Sequence, residues 1–145
     1  MKLAAAIIAF DVEKKLPALL DSIKKEVDYI VVGVDAKTTD KTKEIAERYG
    51  AIIYDAPDVW TLGDDSEPSL DVWMRTAGFA GARNLCFSHV PKDTDWTIWL
   101  DTDDVFAADM PLRKVCEAAG PNISGIALPY LYFRDSYGNV TTIFD

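Results

Sequence analysis

Asp101-Thr102-Asp103-Asp104 crowds three carboxylates into four residues, directly after the apolar run Trp96 to Leu100. Two like charges ~4 Å apart at an effective dielectric of about 20 repel by on the order of 4 kcal/mol. A divalent cation removes that cost, and carboxylate oxygens are hard ligands that suit Mg²⁺ or Mn²⁺. Such an ion commonly takes one or two protein carboxylates and fills its shell with substrate phosphates. The competing reading is a solvated acidic turn, or Asp103 and Asp104 capping a short helix. A further acid, Asp35, ends a second apolar run, Tyr29 to Val34. Arg83-Asn84 interrupts a small, apolar stretch, with Ala80-Gly81-Ala82 before it and Leu85-Cys86-Phe87 after. An arginine there needs an anion, either a structural partner or a substrate, because an unpaired buried charge is costly. His89, the single histidine, falls at a predicted helix end, where a capping or solvated role is expected.

The elements that must position these residues alternate. Leu3 to Phe10 is a continuous apolar run, as in a strand covered on both faces. Leu16, Leu19, Leu20, Ile23 and Val27 make a helical stripe. Tyr29 to Val34 is a second strand. Thr39 or Asp40 caps a helix carrying Ile45, Ala46 and Tyr49, with Gly50 as its stop. Ala51 to Tyr54 is a third, short strand. Ala56 to Arg75 breaks the rhythm with Pro57, Gly63 and Pro68 and reads as a long loop. Ala77 to His89 is helical, Trp96 to Leu100 a buried strand, and Asp109 with Pro111 opens a helix closed by Gly120-Pro121. Ser124 to Phe133 and Val140 to Phe144 read as strands around a turn at 136–139. Strand and helix in alternation predict an α/β fold, a mostly parallel sheet flanked by helices. Ligands of such sheets bind outside the carboxyl ends of the strands, where Asp35 and Asp101 fall.

Composition limits the partners. The 145 residues suffice for one domain. A net charge of -9 repels nucleic acid and anionic lipid, so neither is an expected partner. No apolar run approaches bilayer length, and the start, Met1 to Phe10, lacks a cleavage site after it; no integral membrane segment is expected, and the expected compartment is the cytoplasm. Cys86 and Cys116 are too few and too far apart for a disulfide scaffold or a metal pair; both are expected reduced and buried.

The order of these features resembles the donor-binding half of family 2 glycosyltransferases, which have the GT-A fold. Four segments carry the resemblance: the first apolar strand with its acidic turn and Leu16-Pro17-Ala18-Leu19-Leu20; Ile30 to Asp35 followed by Thr38-Thr39-Asp40-Lys41-Thr42; Phe79-Ala80-Gly81-Ala82-Arg83-Asn84; and Asp95 to Asp104. The resemblance implies a Rossmann-like GT-A sheet in a single nucleotide-sugar-binding domain, residues 1–145, the N-terminal part of a longer catalytic domain. It implies metal-dependent, inverting transfer of a sugar from a nucleoside-diphosphate sugar, with a UDP-sugar favoured, to an acceptor hydroxyl it does not identify. Asp35 then matches an acid that recognises the base, with the main chain of Ala9 and Phe10 lining the base site and Glu13 matching an acid after the first strand. Arg83 matches an arginine of the nucleotide pocket. Asp101 and Asp103 match the D-x-D motif, which holds Mn²⁺ or Mg²⁺ on the diphosphate.

The sequence departs from that pattern in three places. Asp11-Val12-Glu13 stands where many relatives have an Asn-containing turn. The loop carrying Trp60 and Trp73 is longer than usual, and a lid, an acceptor contact or an inert insertion fits it. The family's acceptor base falls beyond Asp145, so the catalytic residue is unassigned, this chain alone is expected to transfer poorly, and Asp135 and Glu67 are the reserve candidates. Two rivals share the motifs. A nucleotide- or metal-binding fragment without turnover is one. A haloacid-dehalogenase-like phosphatase is the other, but it needs a downstream lysine, and Lys114 alone follows Asp104.

Overall fold

The computed structural model describes residues 1–56 and 78–129, together with the backbone of two short strands at 133–134 and 140–141. The predicted long loop beyond Ala56, with Trp60, Glu67 and Trp73, lies outside the described residues, as do Asp135, the 136–139 turn and Asp145.

Four parallel strands form the sheet of the described residues: β1 (Leu3–Ala9), β2 (Tyr29–Asp35), β3 (Ile52–Ala56) and β4 (Trp96–Trp99), in the order β3-β2-β1-β4. Alanine has little strand propensity, yet Ala4, Ala5 and Ala6 lie fully buried in β1. Their place between two hydrogen-bonded neighbours overrides local preference, and their small side chains admit helices close to the sheet.

The strand period of two sorts side chains to opposite faces. Leu3, Ala5, Ile7 and Ala9 share one face with Ile30, Val32 and Val34. Onto it pack α1 (Leu16–Ile23), α2 (Thr42–Arg48) and α4 (Leu112–Ala118) through Leu16, Leu19, Leu20, Ile23, Ile45, Ala46, Leu112 and Cys116. Full burial of each large apolar side chain contributes about 1.5–3 kcal/mol. Ala6 and Val31 face the other way, against Cys86 of α3 (Gly78–Ser88), with Ile8, Tyr54 and Trp99 packed around them. The molecule is therefore layered helix, sheet, helix.

Local chemistry places the helix ends. Pro17 sits in the first turn of α1, where its missing N–H is no loss. Asp40 Oδ1 accepts the Thr42 amide at the head of α2 at 2.9 Å. Gly50, at φ +71°, turns the chain out of α2. α4 is tied back to the first layer: Glu26 accepts the Leu112 amide at 2.7 Å, and Asp28 Oδ2 accepts both the Leu3 amide at 2.9 Å and Arg113 Nη2 at 2.8 Å. The Arg113 hydrogen bond, then the Leu3 amide, holds the Asp28 carboxyl below the usual carboxylate range.

Two expectations need correction. The strand predicted as buried at Trp96 to Leu100 is only partly so: Trp96, Ile98 and Trp99 are half-buried, Thr97 is exposed, and only Leu100 is buried. β4 is hydrogen-bonded to β1 as the last strand on its side of the described sheet, so less covers it. The strand predicted from Ser124 to Phe133 does not run through Ser124 to Pro129, which lacks regular structure and leaves Ile126 and Leu128 exposed. A β-prone run forms a strand only against a neighbour, and what pairs is β5 (Phe133–Arg134) with β6 (Val140–Thr141), antiparallel.

Candidate functional site

The path of the chain creates the site. From β1 through α1 to β2, and through α2 to β3, it steps one way across the sheet; β4 then adds on the opposite side of β1. Right-handed crossovers put helices of the two directions on opposite faces, as observed for α1 and α2 against α3. The reversal leaves a crevice at the carboxyl ends of β1 and β4, the usual ligand position in open α/β sheets. Phe10 and Asp11 follow β1 there, and Asp101 to Asp104 follow β4. Asp35 ends β2, one strand further along. At ~4.8 Å per strand, the ends of β2 and β4 lie roughly 10 Å apart across the end of β1.

Side-chain parity then gathers the predicted residues. Asp35 has the parity of Val31 and Gly33, and Asp101 that of Trp99, so both belong to the α3 face, the face that carries Arg83. The Arg83 guanidinium lies 4.7 Å from the centre of the Trp99 ring and 3.7 Å, Nη2 to Oδ1, from Asp101. Trp99 Nε1 donates to the same Asp101 oxygen at 3.1 Å. The anionic partner that the sequence demanded for Arg83 is thus Asp101. Among the described residues, Arg83 Nε is buried with no hydrogen-bond partner, an N–H still owed an acceptor. Both charged side chains are about half exposed, 43% and 51%. A pair so wet is worth at most about 1 kcal/mol, so it yields readily to a ligand.

Asp103 is exposed and lies 3.9 Å from Lys15 Nζ. Asp104 braces the turn: its Oδ2 accepts the Asp101 amide at 2.8 Å, while its own amide donates to the Asp101 carbonyl at 3.0 Å. Burial pushes the Asp104 carboxyl up, with the charges of Asp101 and Asp103 adding to the effect and the Asp101 amide opposing it. The helix-cap alternative for Asp103 and Asp104 fails, since residues 102–103 form a turn and no helix begins there. No cluster of three or more His, Cys, Asp or Glu side chains among the described residues is arranged to hold a metal ion by itself.

Asp35 is buried, with Oδ1 accepting the Lys37 amide at 2.8 Å and its carbonyl accepting the Thr38 amide at 3.0 Å. Ala9 is buried and Phe10 exposed at the end of β1. Glu13 is turned toward the β2–α2 turn, where Oε2 accepts the Lys41 amide at 3.0 Å. Sequence reasoning missed Trp99 and Lys15. The first was findable: two residues before Asp101, it must share that acid's face.

The remaining candidates are structural. His89 follows α3 with Nδ1 2.9 Å from the Leu85 carbonyl, the expected helix-end role, and its ring stacks on Tyr54 at 3.9 Å. Cys86 and Cys116 are free and buried. Burial pushes the Cys86 thiol up, away from reactivity. Among the described residues no helix is long and apolar enough to cross a membrane.

Known proteins share this fold. The family model described as glycosyl transferase family 2 matches residues 5–139. No curated protein sequence matches the chain. Among solved structures, S. aureus TarS 1–349 superposes with a TM-score of 0.55 at 18% identity, over 92% of this chain and 40% of that one. The longer crystal structure of S. aureus TarS gives 0.52 at 19% identity, over 92% and 24%. TarS 1–349 in complex with UDP gives 0.49 at 21% identity, over 72% and 28%. The chain thus spans well under half the length of these structures.

Proposed function

The chain belongs to glycosyl transferase family 2, and on that premise we propose that it binds the donor in a glycosyltransferase. The reaction is metal-dependent, inverting transfer of a sugar from a nucleoside-diphosphate sugar to an acceptor hydroxyl. The observation that carries this reading is the Arg83–Asp101 pair seated on Trp99 where the strand order reverses, with Asp35 closing the strand on the other side of β1 and assigned to the same face by strand parity.

Each residue has a task in it. Asp35 accepts a hydrogen bond from a ring N–H of the base, uracil by the resemblance, beside the main chain of Ala9 and Phe10. Arg83, seated on Trp99, exchanges Asp101 for the diphosphate and gives its unmatched Nε–H an acceptor. Asp101 and Asp103 hold Mn²⁺ or Mg²⁺. Two hard carboxylates would fit such an ion if diphosphate oxygens completed its shell. When bound, the cation would stabilise the charge that builds on the departing diphosphate. Inversion also requires a base on the acceptor hydroxyl. The resemblance sets that base after Asp145.

The test is calorimetry of uridine diphosphate with and without Mn²⁺, on the parent and on Asp103→Asn. Asp103 is exposed, so the variant should fold normally. It should lose at least tenfold of the Mn²⁺-dependent affinity, about 1.4 kcal/mol. Unchanged affinity would remove Asp103 from the metal site. A parent protein that binds no nucleoside diphosphate would refute the donor reading.

A further inference from the structure

Past Ala9 and Val34, the last residues paired between β1 and β2, the ladder between these strands ends and the chain enters the β1–α1 and β2–α2 turns. Side chains then take over the ladder's work. Asp11 Oδ1 accepts the amides of Thr39 at 2.8 Å and Asp40 at 3.3 Å. Glu13 Oε2 accepts the Lys41 amide at 3.0 Å. In the opposite direction, Asp40 Oδ2 accepts the Glu13 amide at 2.9 Å and Thr42 Oγ1 accepts the Val12 amide at 2.8 Å. Each turn thus supplies the acceptors for the other turn's backbone.

Two further features mark this as a built device. Asp11 has φ +45°, the one non-glycine residue with positive φ among those described. That conformation persists only where the surroundings over-determine it, and here the Asp11 carboxylate is bound to two amides across the gap. Thr42 is fully buried, and Asp40 spends its other oxygen on the Thr42 amide at 2.9 Å. The acceptors are therefore directed at backbone N–H groups of the two turns.

We infer that Asp11, Glu13, Asp40 and Thr42 form a lock that fixes the β1–α1 turn against the β2–α2 turn and so sets the width of the nucleoside pocket. The inference rests on the donor-binding reading, and it makes Glu13 a positioning residue in place of a ligand contact. Loss of the lock should weaken recognition of the nucleoside, which on the donor-binding reading rests against the ends of β1 and β2, and spare the diphosphate end at Arg83 and Asp101.

Thr42→Val removes the hydroxyl at nearly constant volume, Thr42→Ser restores it, and Asp40→Ala removes two bonds at once. Amide hydrogen exchange on the whole protein reads the lock without ligand. Calorimetry with uridine diphosphate, and with pyrophosphate plus Mn²⁺, reads its consequence. In Thr42→Val and Asp40→Ala the amides of Val12, Glu13, Thr39 and Lys41 should speed together by tenfold or more, while Ile7 and Val32 keep parental rates. Uridine diphosphate affinity should fall at least fivefold and pyrophosphate affinity less than twofold, with Thr42→Ser close to the parent. Acceleration confined to the amide that lost its own acceptor would overturn the lock. Uridine diphosphate affinity unchanged in both variants, or lost equally with pyrophosphate, would overturn its role in the pocket. A parent that binds no nucleoside diphosphate overturns the donor reading and that role with it, while the exchange arm still decides whether the lock exists.

Discussion

Gly33→Ala should destabilise the protein, and the cause should be a single ring. Gly33 pairs with Tyr54 across β2 and β3, and Tyr54 lies over the glycine. A Cβ added at Gly33 collides with the Tyr54 hydroxyl and comes within 2.5 Å of Cζ and 3.0 Å of Cε1. Two effects oppose. Replacing glycine by alanine in a strand gains about 0.5–1 kcal/mol from the less flexible unfolded chain. Overpacking costs about 1–3 kcal/mol, and displacing Tyr54 from its 3.9 Å stack on His89 costs about 0.5–1.5 kcal/mol more. The costs win, for a net loss of about 1–3 kcal/mol. At ~2–4 °C per kcal/mol for a chain near this size, the midpoint should fall by roughly 2–12 °C. Denaturant unfolding with an unchanged m-value would measure it. The decisive step is to repeat the substitution in a Tyr54→Ala background. There the collision is gone, and Gly33→Ala should become stabilising by about 0.5–1 kcal/mol. A neutral single variant, or the same cost in both backgrounds, would refute the steric account.

Asp35→Ala should weaken uridine diphosphate at least tenfold and pyrophosphate with Mn²⁺ by less than threefold; equal losses in calorimetry would mean that Asp35 acts through the fold or the metal. Asp28→Asn tests the tie between β1 and α4. Its folded carboxyl sits below the ordinary value, mainly through Arg113, so its contribution is present above the unfolded pKa of about 3.9 and disappears as pH falls through the lower folded value. The variant should be less stable than the parent at pH 7, and the gap should close on acidification; a gap that stays constant from pH 7 to pH 3 would show that the carboxylate's charge is not what matters.

The parts legible in the sequence were those whose physics is local or strictly periodic. Leu3 to Phe10 and Tyr29 to Val34 read as strands because central parallel strands are apolar on both faces. Asp35 and Asp101 read as strand-end acids because they close such runs. Arg83 announced its need for an anion through its apolar neighbours, and Asp101 meets it at 3.7 Å. What failed depended on distant neighbours. Trp96 to Leu100 has the composition of a central strand, and nothing in it tells that β4 pairs on one side only in the described sheet. Ser124 to Pro129 has β-prone residues but no partner strand among the described residues. The lock left no trace, since Asp11 and Thr39 are 28 residues apart and side-chain bonds to a remote backbone have no period.

The seating of Arg83 on Trp99 has an optical consequence. Indole emission responds to a charge held against its ring, and here a guanidinium lies over the face while Asp101 accepts from the ring N–H. A diphosphate that draws Arg83 away would alter both neighbours of one chromophore at once. With the other three tryptophans replaced, the emission of Trp99 would register a colourless sugar nucleotide that moves Arg83.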